Sequence, residues 1–156
     1  MTVSKKLEAF LKKEGISYET MHHSAAYTAL EVAGAQHVPG KHVIKSVIVK
    51  SGKEFMMCVL PAIHFVDFDK LQSITGKTDI VLAKEEEMTK LFPDYEKGAE
   101  PPFGHLYNLD VFIDSAITEN EYICFNGGSH TDMVKMKTED YLKLAKGTTA
   151  DFGKHV

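Results

Sequence analysis

Two apolar runs, residues 42–50 and 54–60, are separated only by Ser51-Gly52-Lys53, and they constrain the fold more than any other feature of the chain. Each has the length of one strand, and the spacer supplies a glycine where a hairpin turn needs one. The chain must therefore build a sheet around this hairpin. Inside the first run one residue breaks the pattern: Lys45, in His42-Val43-Ile44-Lys45-Ser46-Val47-Ile48-Val49. Strand alternation gives Lys45 the same face as Val43, Val47 and Val49. An ammonium there loses hydration unless an anion or several acceptors meet it. The bland alternative is a lysine that snorkels at a strand end.

The remaining elements follow from periodicity and stop signals. Ser4 can cap a first helix with Leu7, Phe10 and Leu11 on one stripe, ended by Gly15, and an extended segment follows near residues 16–19. Thr28-Ala29-Leu30-Glu31 has the spacing of a capping box and opens a second helix that should end before Val38-Pro39-Gly40. Asp67 or Asp69 starts a short helix carrying Leu71 and Ile74 and ending at Gly76. Residues 79–82 read as a strand, and 84–92 as a helix with Met88, Leu91 and Phe92 inward until Pro93. Strand-like runs lie at 110–114, 121–125 and 132–136, and Thr138 caps a last helix with Tyr141, Leu142 and Ala145 inward and Gly147 as its stop. Adjacent strands with scattered short helices predict a mixed or antiparallel sheet with peripheral helices rather than a doubly wound one. No Gly-x-Gly-x-x-Gly or P-loop pattern follows a strand, which disfavours nucleotide-cofactor folds.

The 156 residues fit one domain spanning 1–156, with no repeat or linker. No apolar run approaches the roughly 20 residues of a membrane helix, and the N-terminus lacks the apolar stretch of a signal peptide. Cys58 and Cys124 sit in apolar runs and read as reduced core residues, so a cytoplasmic protein is expected. Net charge is −4, so the chain as a whole is not a basic nucleic-acid binder. Its distribution is uneven: residues 79–121 hold eleven acidic residues and three lysines, a local balance of −8. Residues 1–13 hold four lysines and one glutamate, and residues 133–156 hold five lysines and three acids. All 18 basic residues are lysines. Bidentate arginine clamps on phosphate or guanine are therefore impossible, and nucleic-acid contact must use lysine charges, backbone amides and shape.

Two glycine-rich segments could complete a site with Lys45: Gly98-Ala99-Glu100-Pro101-Pro102-Phe103-Gly104 and Phe125-Asn126-Gly127-Gly128-Ser129-His130. In the first, the glycines permit close backbone approach while Pro101 and Pro102 stiffen the chain, which suits a loop that positions a water or an oxyanion. A rigid connector is its structural alternative. In the second, glycines leave room for a ligand, and a tight turn between strands is the alternative. The eight histidines show no His-Glu-x-x-His, neither cysteine has a histidine nearby in sequence, and Gly-x-Ser-x-Gly is absent. Scattered histidines without a metal, and no serine triad, are the reading that follows.

Taken together these segments resemble the YbaK/EbsC family and the related editing domain inserted in bacterial prolyl-tRNA synthetases. The resemblance runs through His23, Tyr27-Thr28-Ala29-Leu30-Glu31-Val32-Ala33, Val43 to Val49, Val59-Leu60-Pro61, Gly98 to Gly104, Val111-Phe112-Ile113-Asp114 and Phe125 to His130. It covers about residues 16–146. Ser46 stands where many relatives have threonine and keeps the hydroxyl, and residues 91–97 depart from the usual Thr-Gly.

The resemblance implies an α+β fold with a mixed, largely antiparallel, curved sheet and short peripheral helices. It also implies a trans-editing hydrolase that cleaves the ester of mischarged aminoacyl-tRNA without metal or other cofactor. The family's commonest target suggests tRNA(Pro) carrying a small wrong amino acid such as alanine or cysteine. By the same resemblance Lys45, Gly98 and Pro102 are the catalytic residues, Lys45 reaching the terminal adenosine or its phosphate and the loop orienting ester and water. Tyr27, Ser46, Pro101, Phe103, Gly104, Gly128, Ser129 and His130 are the substrate-binding residues. The partner is the acceptor end of aminoacyl-tRNA, with a synthetase such as prolyl-tRNA synthetase as a further candidate and no membrane. The alternative reading is a non-catalytic module of the same fold that senses an RNA end or a small ligand.

Overall fold

The computed structural model describes residues 5–22, 40–95, 99–129 and 131–155. The capping box at Thr28–Glu31 and the helix expected after it lie outside the described residues.

The predicted hairpin is the centre of the molecule. Strand β2 (Ile44–Ser51) pairs antiparallel with β3 (Glu54–Pro61) from Ile44↔Pro61 to Ser51↔Glu54. Three further strands extend it: β5 (Val81–Leu82) antiparallel on β2, β6 (Asp110–Asp114) parallel on β3, and β9 (Thr148–Ala150) parallel on β6. The order is β5-β2-β3-β6-β9, a mixed sheet. A second, antiparallel sheet has the order β1-β8-β7, from β1 (Glu19–His22), β8 (Asp132–Lys137) and β7 (Tyr122–Asn126). A parallel bridge between Val43 and Cys124 joins the two sheets at the foot of β2. The strands β4 (His64–Val66) and β10 (Gly153–His155) form a small antiparallel ribbon.

In β3, Met56, Met57, Cys58, Val59 and Leu60 are all 1% exposed or less, because both faces of this strand are covered. Double coverage explains why its sequence reads as a continuous apolar run instead of an alternating one. On one face Met57 and Val59 join Ile44, Ile48, Phe103, Phe125 and Tyr141, sealed by Leu7 and Leu11 of helix α1 (Lys5–Lys13). On the other, Met56, Cys58 and Leu60 pack with Val49, Phe152 and Leu71 of helix α2 (Phe68–Thr75). Both cysteines are free and buried, and burial pushes the Cys58 thiol up to about 12 and the Cys124 thiol to about 11.

Helix starts and stops follow local chemistry, with some shifts from expectation. Asp67 caps α2 by accepting from the amides of Asp69 and Lys70, and Gly76 ends it in the left-handed region at φ 71°. Ile74 of that helix is 38% exposed, not inward, because Phe68 and Leu71 are the residues that pack toward the sheet. Helix α3 (Glu85–Leu91) stops before Pro93 with Phe92 buried as expected. In helix α4 (Thr138–Ala145) the inward stripe is Thr138, Tyr141, Leu144 and Ala145, with Leu142 only partly buried. Thr138 is the first helical residue rather than the cap, since its amide donates to the Glu121 carbonyl, and Lys146 at φ 53° ends the helix one residue before Gly147. The extended segment expected near 16–19 becomes a strand only from Glu19.

Replacing Asp67 with Ala removes both amide acceptors at the start of α2 and is expected to cost about 1 kcal/mol. Urea unfolding of the variant measures it.

Candidate active site

Lys45 lies one residue into β2, opposite Leu60, on the sheet face that carries Val47 and Val49. Its ammonium is half-buried, donates to the Ala62 carbonyl at 3.4 Å and lies 5.6 Å from the centre of the Phe65 ring. No carboxylate pairs with it among the described residues, and burial lowers its pKa. A cation in that setting gains an interaction when an anion arrives. The Val43–Cys124 bridge places Lys45 and Asn126 two residues further along their strands, so both lie at the end where β7 gives way to the glycine loop.

That loop is held from both ends. The Gly127 amide donates to the Asp132 carbonyl at 3.0 Å, closing the β7–β8 turn. Gly128 has φ 107°, a conformation that L side chains rarely adopt, and its amide donates to the Ala99 carbonyl at 3.1 Å. The turn and the 98–104 loop are therefore joined directly. Ser129 is fully buried and donates to the Asp132 carboxylate at 2.7 Å. Thr131 donates to the same carboxylate at 3.3 Å, and Nδ1 of His22, opposite on β1, lies 3.2 Å from its other oxygen.

The 98–104 loop spends most of its polar groups on its own rigidity. The Phe103 amide donates to the Pro101 carbonyl at 2.8 Å, and the Tyr141 hydroxyl donates to the Pro102 carbonyl at 2.8 Å. Phe103 is 1% exposed and edge-on to Phe10, Phe125 and Tyr141, so its side chain belongs to the core. A Cβ on Gly104 would lie 3.0 Å from Val111 and 3.2 Å from Met57, so this glycine serves close packing. The loop retains the buried N–H groups of Ala99 and Gly104, for which no acceptor is found among the described residues. Among the described residues Asn126 Oδ1 on β7 is buried without a partner, as is Ser46 Oγ on the opposite face of β2. Each such group costs about 1–3 kcal/mol until something satisfies it.

The structure thus brings Lys45, Ser46, Pro101, Pro102, Gly128 and Ser129 onto two strand ends and two mutually bonded loops. Ser46 follows Lys45 directly and so faces the opposite side of β2, toward Ile44, Ile48 and the main core. Phe103 and Gly104 anchor the loop from within the core. Tyr27, Gly98 and His130 lie outside the described residues. Sequence reasoning missed Asp132, which organises the glycine turn. The run Ser129-x-Thr131-Asp132 carries its signal, since short hydroxyl and carboxylate side chains that close a turn upon themselves cluster in this way. Among the described residues no three His, Cys, Asp or Glu converge in a way that could hold a metal ion.

Residues 23–144 match the family model described as aminoacyl-tRNA editing domain. The chain belongs to that family. Editing in it removes an amino acid from tRNA, which is hydrolysis of an ester. The multifunctional Ser/Thr-tRNA deacylase ProXp-y of Escherichia coli (strain K12) is 27% identical over 152 residues, which span 94% of this chain and 90% of that protein. A crystal structure of a candidate trans-editing enzyme for prolyl tRNA synthetase shares the fold with a TM-score of 0.82 at 20% identity, covering 96% of both chains. A solved protein described only as hypothetical matches with a TM-score of 0.87 at 19% identity, covering 96% of this chain and all of that one. The mixed α+β fold expected from the resemblance is the one observed, and no described helix is long and apolar enough to cross a membrane.

Burial works to raise the pKa of Asp132, but hydrogen bonds from Ser129, His22 and Thr131 outweigh it and hold the carboxyl below its usual 3.8. A depressed carboxyl contributes stability that is complete above its unfolded value and disappears as pH falls through the folded one. Asp132→Asn should therefore be less stable than the parent at pH 6, with the gap closing below about pH 4 as the parent's carboxylate protonates. Unfolding midpoints across that range check it.

Proposed function

We propose that this editing domain deacylates tRNA charged with a small wrong amino acid, and that Lys45 together with the two bonded loops forms its active site. The observation that carries the reading is Lys45: a half-buried ammonium with one weak carbonyl contact and no carboxylate partner among the described residues, on the strand whose foot is bridged to β7. A 3′-terminal adenosine with its phosphate supplies the missing anion. The aminoacyl ester would then lie between Asn126 and the 99–102 segment.

The chemistry asks little of side chains. An aminoacyl ester is already activated by the neighbouring ribose hydroxyl. Water adds to the acyl carbon, the developing oxyanion takes up the Ala99 N–H, and the carbon–oxygen bond to ribose breaks. The proton lost by water ends on the ribose oxygen, giving the free amino acid and tRNA. Positioning and a preorganised donor supply most of such an acceleration. The rigidity of the loop, with five carbonyls already bonded, supports that role. No metal enters this route.

A synthetase pocket separates amino acids that differ by one methylene by only about 1–3 kcal/mol, so a second, smaller pocket is needed to remove what slips through. Alanine and cysteine on tRNA(Pro) are one candidate set. The unpartnered Asn126 Oδ1, together with the likeness to a Ser/Thr-tRNA deacylase, favours hydroxyl-bearing amino acids. A site built to bond a substrate hydroxyl loses much when that hydroxyl is missing. A synthetase partner such as prolyl-tRNA synthetase, and a cytoplasmic setting, fit this work on tRNA.

Release of free amino acid from a panel of alanyl-, cysteinyl-, seryl- and threonyl-tRNAs tests the proposal. Seryl and threonyl esters should be cleaved fastest, and activity should survive exhaustive chelation. Lys45→Ala should fold normally and lose about 10- to 150-fold in kcat/KM, the equivalent of one charge-assisted contact. No release from any member of the panel would leave the non-catalytic binding reading in its place. Loss on chelation that zinc restores would favour a metal route.

A further inference from the structure

An exposed aromatic ring stands beside Lys45 on the side away from the glycine loops. At the foot of β2, Val43 is bridged to Cys124 along one edge and accepts from the Ala62 amide at 2.7 Å along the other. Lys45 therefore has the β7 end on one side and the approach to β4 on the other. Its ammonium reaches the second side, to the Ala62 carbonyl and to within 5.6 Å of the Phe65 ring centre. Phe65 is 56% exposed. Its strand neighbours His64 and Val66 point the opposite way, to Asp114 and to the core under α2. Across the β4–β10 ribbon the partner of Phe65 is Lys154. Directly opposed residues share a face, with Cβ atoms about 4.5–5.5 Å apart. Lys154 is exposed and meets no carboxylate among the described residues. The acids close by are engaged elsewhere: Asp114 is 1% exposed and bonded to His64, and Asp151 lies 3.6 Å from the Lys70 ammonium.

We infer that the exposed ring of Phe65 is the platform on which the terminal adenine of tRNA stacks, and that Lys154 takes a phosphate further up the strand. The inference rests on the deacylase reading of the Lys45 site. Unpaired nucleotides are held by aromatic faces for their bases and by cations for their phosphates, and both are open here. A phosphate on Lys45 leaves the base of the same nucleotide one ribose away, and Phe65 is the aromatic ring within that range. The order across the surface is Asn126, Lys45, Phe65, Lys154. An acceptor end that enters over the ribbon meets these residues in reverse and brings its ester to the glycine loops last.

The ribbon beneath the ring is built to hold it still. Asp114 binds both strands, one oxygen 3.0 Å from His64 Nδ1 and the other accepting from the Gly153 amide at 3.3 Å. The Asp67 amide donates to the Phe152 carbonyl at 2.8 Å, closing the far end. A ring fixed in this way loses little freedom when a base settles on it. An aromatic face reads no hydrogen-bond pattern, which suits a terminus that is the same in every tRNA. With no arginine in the chain, a ring flanked by two lysines supplies the stacking and the charge that a guanidinium would combine.

The test removes the ring from the protein and the base from the substrate. Phe65→Ala, Phe65→Tyr and Lys154→Ala, each first checked by thermal melting, are assayed on a mischarged tRNA and on the same tRNA with an abasic terminal ribose carrying the ester. Phe65→Ala should raise KM for the intact tRNA by about tenfold or more, and Phe65→Tyr should restore it. On the abasic substrate Phe65→Ala and the parent should have the same KM. Lys154→Ala should flatten the dependence of log affinity on log salt by about 0.7. A parental KM for intact tRNA with Phe65→Ala would overturn the inference, as would an equal rise on both substrates, and an unchanged salt slope would overturn the role of Lys154. If the parent cleaves neither substrate, the deacylase reading fails. Binding of the trinucleotide CCA then decides the platform alone: NMR shifts of the Phe65 ring that the dinucleotide CC does not produce support it, and an unmoved ring overturns it.

Discussion

The hydrogen bond from the Gly128 amide to the Ala99 carbonyl is the constraint on which the candidate site depends. It ties a β-turn of one sheet to a proline-stiffened loop that no strand of either sheet includes. Gly128 makes it at φ 107°, a conformation that glycine tolerates and L side chains rarely adopt. Remove that tie and the two glycine segments become independent surface loops. With it, they form one backbone wall whose far side is fixed by Tyr141 and Phe103 in the core.

The wall explains how a site without a serine triad can be specific. Backbone groups cannot be repositioned by rotamer changes, and five of the loop's carbonyls, those of Ala99, Pro101, Pro102, Phe103 and Gly104, are already bonded. The donors that remain are held where they are whether or not substrate is present, so little reorganisation is required during reaction. Asp132 does for the turn what Tyr141 does for the loop. Its carboxylate collects Ser129, Thr131 and His22, and Ser129 is thereby committed to holding the turn shut. Lys45 is the exception in this arrangement, a charge left with little to bind.

The hairpin, most strand positions and the α+β class were legible because they depend on local periodicity and on glycine and proline stops. Val47 and Val49 share the face of Lys45, as alternation requires. Errors arose where tertiary contact overrides a local pattern. Leu144 is buried more deeply than Leu142, which packs only partly against the core, because α4 lies against both Phe103 and the β7–β8 sheet. Ile74 stays outside because α2 meets the sheet through Phe68 and Leu71. Site residues divided in the same way. Lys45 announced itself by breaking an apolar run, and the glycine loops by composition. Asp132 did not, because its partner His22 is 110 residues distant and a carboxylate at a strand start looks like any turn residue. Phe103 and Gly104 read as part of a binding loop, whereas their burial makes them its foundation.

The central claim is that Lys45 is a cation held in waiting for the phosphate or adenosine of the acceptor end. An NMR titration of the Lys45 side chain tests it most directly, first in the free protein and then with a non-hydrolysable aminoacyl-adenosine bearing a 5′-phosphate. Burial should place its pKa below the ordinary 10.5 in the free protein, and the bound anion should raise it, since an opposite charge favours the protonated form. A lysine that titrates at 10.5 or above and ignores the ligand would contradict the claim.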